Sequence, residues 1–291
     1  MTTRREFIKQ SGILSSALLL SPSMLAKSKY KLGLQLYTVN EAMKANVGET
    51  LKKVASLGYQ EVETFGFNKM YSGLEPKAFK QILDDNSLTT SSGHYELNKY
   101  IIGKTDDDLK RYVDDCIVGA HILKQDYIVW AWLNPELRSI EKFKMIAAKL
   151  NMIGEQVKKA GLQLAYHNHD FEFINHNGEM GYNILLNDTD ADLVKMEMDL
   201  YWASFASPLT PNEWFIKHPK RFPIWHLKDI DKVNRELHTV VGEGTVDFKS
   251  IFKGEKMAGL KHVFVEQGNN YVPNVFDCIT RSAAYTKREL L

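Results

Sequence analysis

After Ser28 the chain alternates, eight times over, between short apolar runs and longer segments in which apolar residues recur at helical spacing. Apolar runs of this kind, separated by helices, require a parallel sheet whose two faces are both covered. The runs are Leu32–Val39, Gln60–Phe65, a weak Ser- and Thr-rich Leu88–Ser92, Asp126–Trp132, Leu162–His167, Leu193–Asp199, Phe222–Leu227 and His262–Glu266. Helices are expected over Val47–Leu57 (stopped by Gly58), Pro76–Asp85, Asp106–Val118, a long segment capped by Ser139 that ends before Gly161, and Val246–Lys256. A short helix is expected at Gly181–Leu186 and a closing one at Asn274–Leu290. Eight units in one domain favour closure into a single (β/α)8 TIM barrel, a fold of about 250 residues. The alternative is an open doubly wound sheet. Leu36-Tyr37-Thr38-Val39-Asn40 after the first strand has no glycines for a dinucleotide-binding turn, which disfavours it.

The barrel is assigned to residues 28–291, and residues 1–27 are assigned to targeting. Thr3-Arg4-Arg5-Glu6-Phe7-Ile8-Lys9 resembles the twin-arginine export motif, and Gly12 to Leu20 is an apolar core too short to span a bilayer comfortably. The expectation is an exported, periplasmic protein with no membrane span after signal removal. It stays tethered if Met24-Leu25-Ala26, a poor cleavage site, is left uncut. The alternative is an amphipathic first helix of a cytoplasmic protein. A formal net charge of +1 gives no basic face for nucleic acid. Cys116 and Cys278 are too few for a disulfide framework and read as buried thiols, with a single bridge as the alternative. Homo-oligomerisation is left open.

Function in such a barrel collects at the carboxyl ends of the strands. Four consecutive strands each deliver a histidine or a carboxylate where the apolar run stops: His167, Asp199, His226 and Glu266. Inward-facing carboxylates meeting there repel unless a cation or a proton lies between them. Two nitrogens and two oxygens make a shell for one divalent ion, Mn2+ first, with Zn2+, Co2+ or Fe2+ as alternatives. Such a shell suits Ca2+ poorly.

These residues resemble those of the sugar isomerase/epimerase superfamily of xylose-isomerase-like barrels, which also contains inosose dehydratases and apurinic endonucleases. The likeness runs from about Tyr30 to the end. The family's strand-five pattern Ala-x-Glu-Asn-His, whose Glu binds the metal, falls on Ala165-Tyr166-His167-Asn168-His169. Its strand-six Asp matches Asp199, its strand-seven His matches His226 in His226-Leu227-Lys228-Asp229, and its strand-eight Glu matches Glu266. Val241-Gly242-Glu243-Gly244-Thr245-Val246-Asp247-Phe248 resembles the family's Gly-Glu-Gly-x-x-Asp-Phe loop. There are two departures. His167 replaces one of the two glutamates that the epimerases use as paired acid and base, and Trp202 stands where the family often has His.

The resemblance implies a metal-dependent enzyme on a carbohydrate that removes a proton next to a carbonyl, with the ion stabilising the enediolate. Glu266 and His169 are the candidate acid/base groups, and Lys228 the group that holds a hydroxyl or an oxyanion. His169 reads equally well as a support for His167, to which it is related by strand alternation. Glu63 at the end of the second strand, His94 after the third, Trp202 and Lys228 are candidate substrate contacts. Trp130, Trp132 and Tyr201 add aromatic surface near the strand ends. Isomerisation, epimerisation and β-elimination from a 3-keto-glycoside share the first proton removal and stay open. A barrel that binds a glycan without turnover is the non-enzymatic alternative. An apurinic endonuclease is disfavoured by the neutral charge and the export motif.

Overall fold

The computed structural model describes residues 28–291, and the expected targeting segment 1–27 lies outside them. Eight strands form a closed, all-parallel barrel. They are β1 (Leu32–Gln35), β2 (Glu61–Phe67), β3 (Thr89–Tyr95), β4 (Tyr127–Trp130), β5 (Gln163–His167), β6 (Val194–Asp199), β7 (Ile224–Leu227) and β8 (His262–Val265). Each pairs with its sequence neighbours, and β8 closes on β1 through Leu32↔Val263 and Leu34↔Val265. Helices including Asp106–Leu123, Ile140–Lys159 and Val275–Glu289 cover the outside. The fold is the (β/α)8 barrel read from the alternation. Among the described residues no helix is long and apolar enough to cross a membrane.

Two apolar clusters show which way each strand faces. Ile128, Trp130, Leu164, Tyr166, Met196, Met198, Trp225 and Val263 belong to the large core between sheet and helices. Tyr127, Val129, Ala165, Ile224 and Phe264 form a separate cluster inside the barrel. Gly33 of β1 leaves the space that the Phe264 ring fills; a Cβ there would collide with it. Because strand side chains alternate, the next inward positions are His167 above Ala165, His226 above Ile224 and Glu266 above Phe264. Their neighbours in register agree: Asp199 is paired with His226, and Phe264 with His226.

The structure corrects four element readings. The first strand ends at Gln35, not Val39, and Leu36–Val39 is a 3-10 turn whose Tyr37 N–H is capped by the Gln35 side chain. The apolar run continues, but its ladder partners end at Glu63 and Val265, and an unpaired backbone coils. The third strand runs on to Tyr95, because Phe67 and Trp130 flank it on either side; His94 is therefore within the strand. The Val246–Lys256 helix is two short ones, Phe248–Phe252 and Glu255–Ala258, broken at Gly254, which packs against Asn212 and Phe215. His169 lies beyond the end of β5, so strand alternation does not relate it to His167. Both cysteines are free and buried.

Candidate metal centre

The strand ends build the site floor. Asp199 closes β6 and caps the helix Leu200–Ala206, its Oδ1 accepting from the N–H groups of Tyr201 (2.8 Å) and Trp202 (3.2 Å). That use of one oxygen leaves Oδ2 buried with no hydrogen bond. Nε2 of His167 lies 3.8 Å from it, and Nζ of Lys228 lies 3.3 Å from it. On the other side Glu266 Oε2 is 2.9 Å from His226 Nδ1 and 3.3 Å from Lys228 Nζ. One ligand atom from each of His167, Asp199, His226 and Glu266 lies within 4.8 Å of the others. The four residues singled out from separate strand ends meet. An orphaned carboxylate oxygen beside two imidazoles is the donor set a divalent ion of borderline softness takes up, so these residues fit the group.

A second tier lies directly beneath. Glu63 is fully buried and does not line the cavity. It accepts from Gln35 Nε2 (2.7 Å) and Ser92 Oγ, and its Oε2 lies 2.6 Å from His226 Nε2. Glu197, one inward position below Asp199, places Oε2 3.2 Å from His167 Nδ1 and 2.8 Å from His94 Nε2. Its Oε1 is 3.0 Å from His226 Nε2 but outside hydrogen-bond geometry. His94, 3.1 Å from Glu63, is thus held between two carboxylates while one edge of its ring reaches the cavity. The sequence reading missed Glu197. The alternation Met196-Glu197-Met198-Asp199 held the signal, since a residue two before an inward Asp must also face inward.

The electrostatics follow from burial set against these partners. Burial alone depresses the Lys228 ammonium, but Asp199 and Glu266 more than offset it and hold its pKa at about 12. Burial opposes ionisation of Glu266, yet Lys228 and His226 outweigh it and keep that carboxyl well below the usual range. Burial, with His167 and Lys228 adding to it, pushes the His169 imidazole well below its ordinary value. His169 is therefore neutral near pH 7, and its Nδ1 is buried without a partner. Phe171 stacks on the ring at 5.4 Å, and Trp132 meets it edge-on at 4.9 Å.

Above the floor opens a cavity of about 530 Å3. His94, His167, His169, Trp202, Lys228 and Glu266 line it together with Tyr37, Phe65, Trp132 and His238. Trp130 is fully buried in the outer core and takes no part. His238 was also missed by the sequence reading. It arrives on a loop after β7, where Ile230 pairs with it and Gly268 donates to its Nδ1 (2.8 Å). No pattern in the sequence marks it. The loop is held by Asp229, whose carboxylate accepts the N–H groups of Ile230, Gly242, Gly244 and Val246, which accounts for the Gly-Glu-Gly motif. A larger hollow of about 700 Å3 lies at the other end of the barrel near Tyr59, Gln60 and Lys287, with no cluster of titratable groups.

The family model described as xylose isomerase-like TIM barrel matches residues 51–267, well over half of the chain. The chain belongs to this family. A sugar phosphate isomerase/epimerase from Parabacteroides distasonis superposes with a TM-score of 0.78 at 26% identity, covering 90% of this chain and 95% of that one. An inosose dehydratase of Clostridium perfringens is 30% identical over 129 residues, 39% of this chain and 42% of that protein. The matched stretch thus spans less than half of that relative. A xylose isomerase-like barrel from Mycobacterium smegmatis, solved in complex with magnesium, has a TM-score of 0.67 at 14% identity over 90% of this chain and 96% of its own; that likeness shows the fold alone. The family comprises sugar isomerases, epimerases and dehydratases, and this member carries a buried histidine–carboxylate cluster consistent with a divalent metal site.

Proposed function

We propose that this protein is a divalent-metal-dependent enzyme, with Mn2+ the preferred ion, that removes the proton next to the carbonyl of a keto-sugar or keto-glycoside. The observation that carries the reading is the convergence of His167, Asp199, His226 and Glu266, of which His167 and Glu266 line a cavity walled by aromatic rings. When bound, the ion polarises the carbonyl and offsets the charge that grows on its oxygen. Lys228, whose ammonium Asp199 and Glu266 favour, adds a positive charge at the same place. Glu266 stays ionised, and His169 stays neutral, so both are in the state a base needs. The aromatic contacts of His169 with Phe171 and Trp132 hold its ring in place. Trp202 offers a face for the apolar side of a sugar ring.

Whether the proton is returned (isomerisation or epimerisation) or a β-leaving group departs (elimination) depends on what faces the second side of the substrate. With His167 in one glutamate position, a symmetrical pair of acidic bases is missing, and this favours elimination from a 3-keto-glycoside as the second reading. The test is metal analysis of the purified protein, then proton exchange at C2 of 3-keto-glucosides in D2O followed by NMR. Retained sugar with exchanged C2 marks the isomerase/epimerase reading, and loss of aglycone marks the lyase. No exchange with any keto-sugar tried refutes both and leaves the glycan-binding alternative.

We further propose export by the twin-arginine route, supported by Thr3-Arg4-Arg5-Glu6-Phe7-Ile8-Lys9. Replacing Arg4 and Arg5 with Lys is expected to leave the protein in the cytoplasmic fraction; unchanged periplasmic recovery would refute this.

A further inference from the structure

His167 and His226 each have two ring nitrogens, and the site uses both ends of both rings. The upper ends, His167 Nε2 and His226 Nδ1, face Asp199 (3.8 Å) and Glu266 (2.9 Å). The lower ends, His167 Nδ1 and His226 Nε2, face Glu197 (3.2 Å to Oε2) and Glu63 (2.6 Å to Oε2). His94, His167, Glu197 and His226 therefore make a second group with potential ligand atoms within 4.8 Å, overlapping the first through the two shared histidines.

The two groups cannot both hold ions through the same neutral histidines. A neutral imidazole has one lone pair, and bridging two ions would require an imidazolate. The upper group has two carboxylates and a buried Asp199 oxygen with no hydrogen bond, and its Glu266 lines the cavity. In the lower group the one carboxylate, Glu197, has its Oε2 already engaged by His94 and His167 and does not line the cavity.

We propose that Glu197 is a positioning residue, not a ligand: it fixes the proton of His167 on Nδ1, so that the Nε2 lone pair is turned to a single ion. Glu63 does the same for His226, placing its proton on Nε2 and its lone pair on Nδ1. Carboxylate–histidine pairing of this kind sets ring orientation and raises the basicity of the ligating nitrogen. His94 Nε2 lies 3.1 Å from Glu63 and 2.8 Å from Glu197 and so bridges the two carboxylates. Strand five then supplies a neutral ligand, with its balancing negative charge one layer deeper on β6.

This inference rests on the metal-site reading, and the experiment separates the two. Metal-stripped protein is titrated calorimetrically with Zn2+ and with Co2+, alongside Glu197→Gln and Asp199→Asn variants. Long-range 1H–15N spectra of the histidine rings are recorded on the Zn2+-loaded unmutated protein, so the result does not depend on a variant folding. The expected result is one ion per chain, with His167 bound through Nε2 and His226 through Nδ1. Glu197→Gln is expected to keep that stoichiometry and weaken affinity roughly 10- to 100-fold. Two ions per chain, the opposite tautomers, an unchanged affinity in Glu197→Gln, or a loss as complete as in Asp199→Asn would each overturn the assignment. An unmutated protein that binds no ion would overturn the metal reading itself.

Discussion

Nζ of Lys228 lies 3.3 Å from Oδ2 of Asp199, the one oxygen of that carboxylate to which no hydrogen bond is made. The ammonium therefore shares with any bound cation the charge of the same carboxylate, as it also does at Glu266. Lys228→Met removes a competitor for the ion while removing a charge that stabilises developing oxyanion. Metal affinity is expected to hold or rise by a few-fold, whereas turnover falls by roughly 100-fold or more. Calorimetry and steady-state rates on the same preparation check this; a parallel loss of both would make Lys228 a structural support for the ligands.

Asp199→Asn keeps an Oδ1 that can still cap Tyr201 and Trp202, but it replaces Oδ2 with an amide nitrogen. The helix Leu200–Ala206 should therefore survive while the ligand is lost. The expected outcome is a melting temperature in EDTA close to that of the unmutated chain. The metal-induced rise should disappear, since stabilisation by a ligand scales with its affinity. A large drop in the EDTA melting temperature would show that Asp199 serves the fold more than the ion.

Trp202 meets His169 at 5.7 Å and lines the cavity half-buried. Aromatic stacking contributes about 0.5–1.5 kcal/mol beyond buried area, so Trp202→Ala is expected to raise KM roughly 3- to 10-fold with kcat within a few-fold. A fall in kcat with unchanged KM would mean that Trp202 holds His169 rather than the sugar.

Glu172 is fully buried in the 3-10 turn that follows β5, accepting from Tyr166 Oη (2.6 Å) and the His169 N–H (2.8 Å). Burial outweighs both hydrogen bonds and pushes its carboxyl from 4.5 up to about 8. A pKa raised on folding means that the folded state holds the proton more tightly. Its stabilising contribution is present below about pH 4.5 and is lost as pH rises toward 8, up to a few kcal/mol in all. Glu172→Gln, which cannot ionise, should flatten the decline in melting temperature between pH 5 and pH 8. An identical slope in both proteins would show that Glu172 is ionised throughout.

The β5–β8 strand ends, the His-Leu-Lys-Asp motif and the barrel itself were legible in the chain because they rest on alternation. Side chains two apart share a face, and apolar runs stop where a strand leaves the core. The same rule reached Asp199 and would have reached Glu197, but a strand-interior carboxylate draws no attention until its partners are known. Alternation could not reveal where the first strand stops, because Leu36–Val39 stays apolar after its hydrogen-bonding partners run out. His169 lines the cavity from a loop and His238 from a two-residue strand, too short for any periodicity to constrain position. Pattern along the chain was enough to give the number of strand–helix units, which strand ends carry candidate ligands, and their rough charge balance. Which nitrogen of each histidine faces which carboxylate, and the place of Glu63 beneath the site instead of in the cavity, came from packing across the barrel. Those are matters of distance between residues up to 163 positions apart in the chain, and pattern along one strand says nothing about the layer it meets across the barrel.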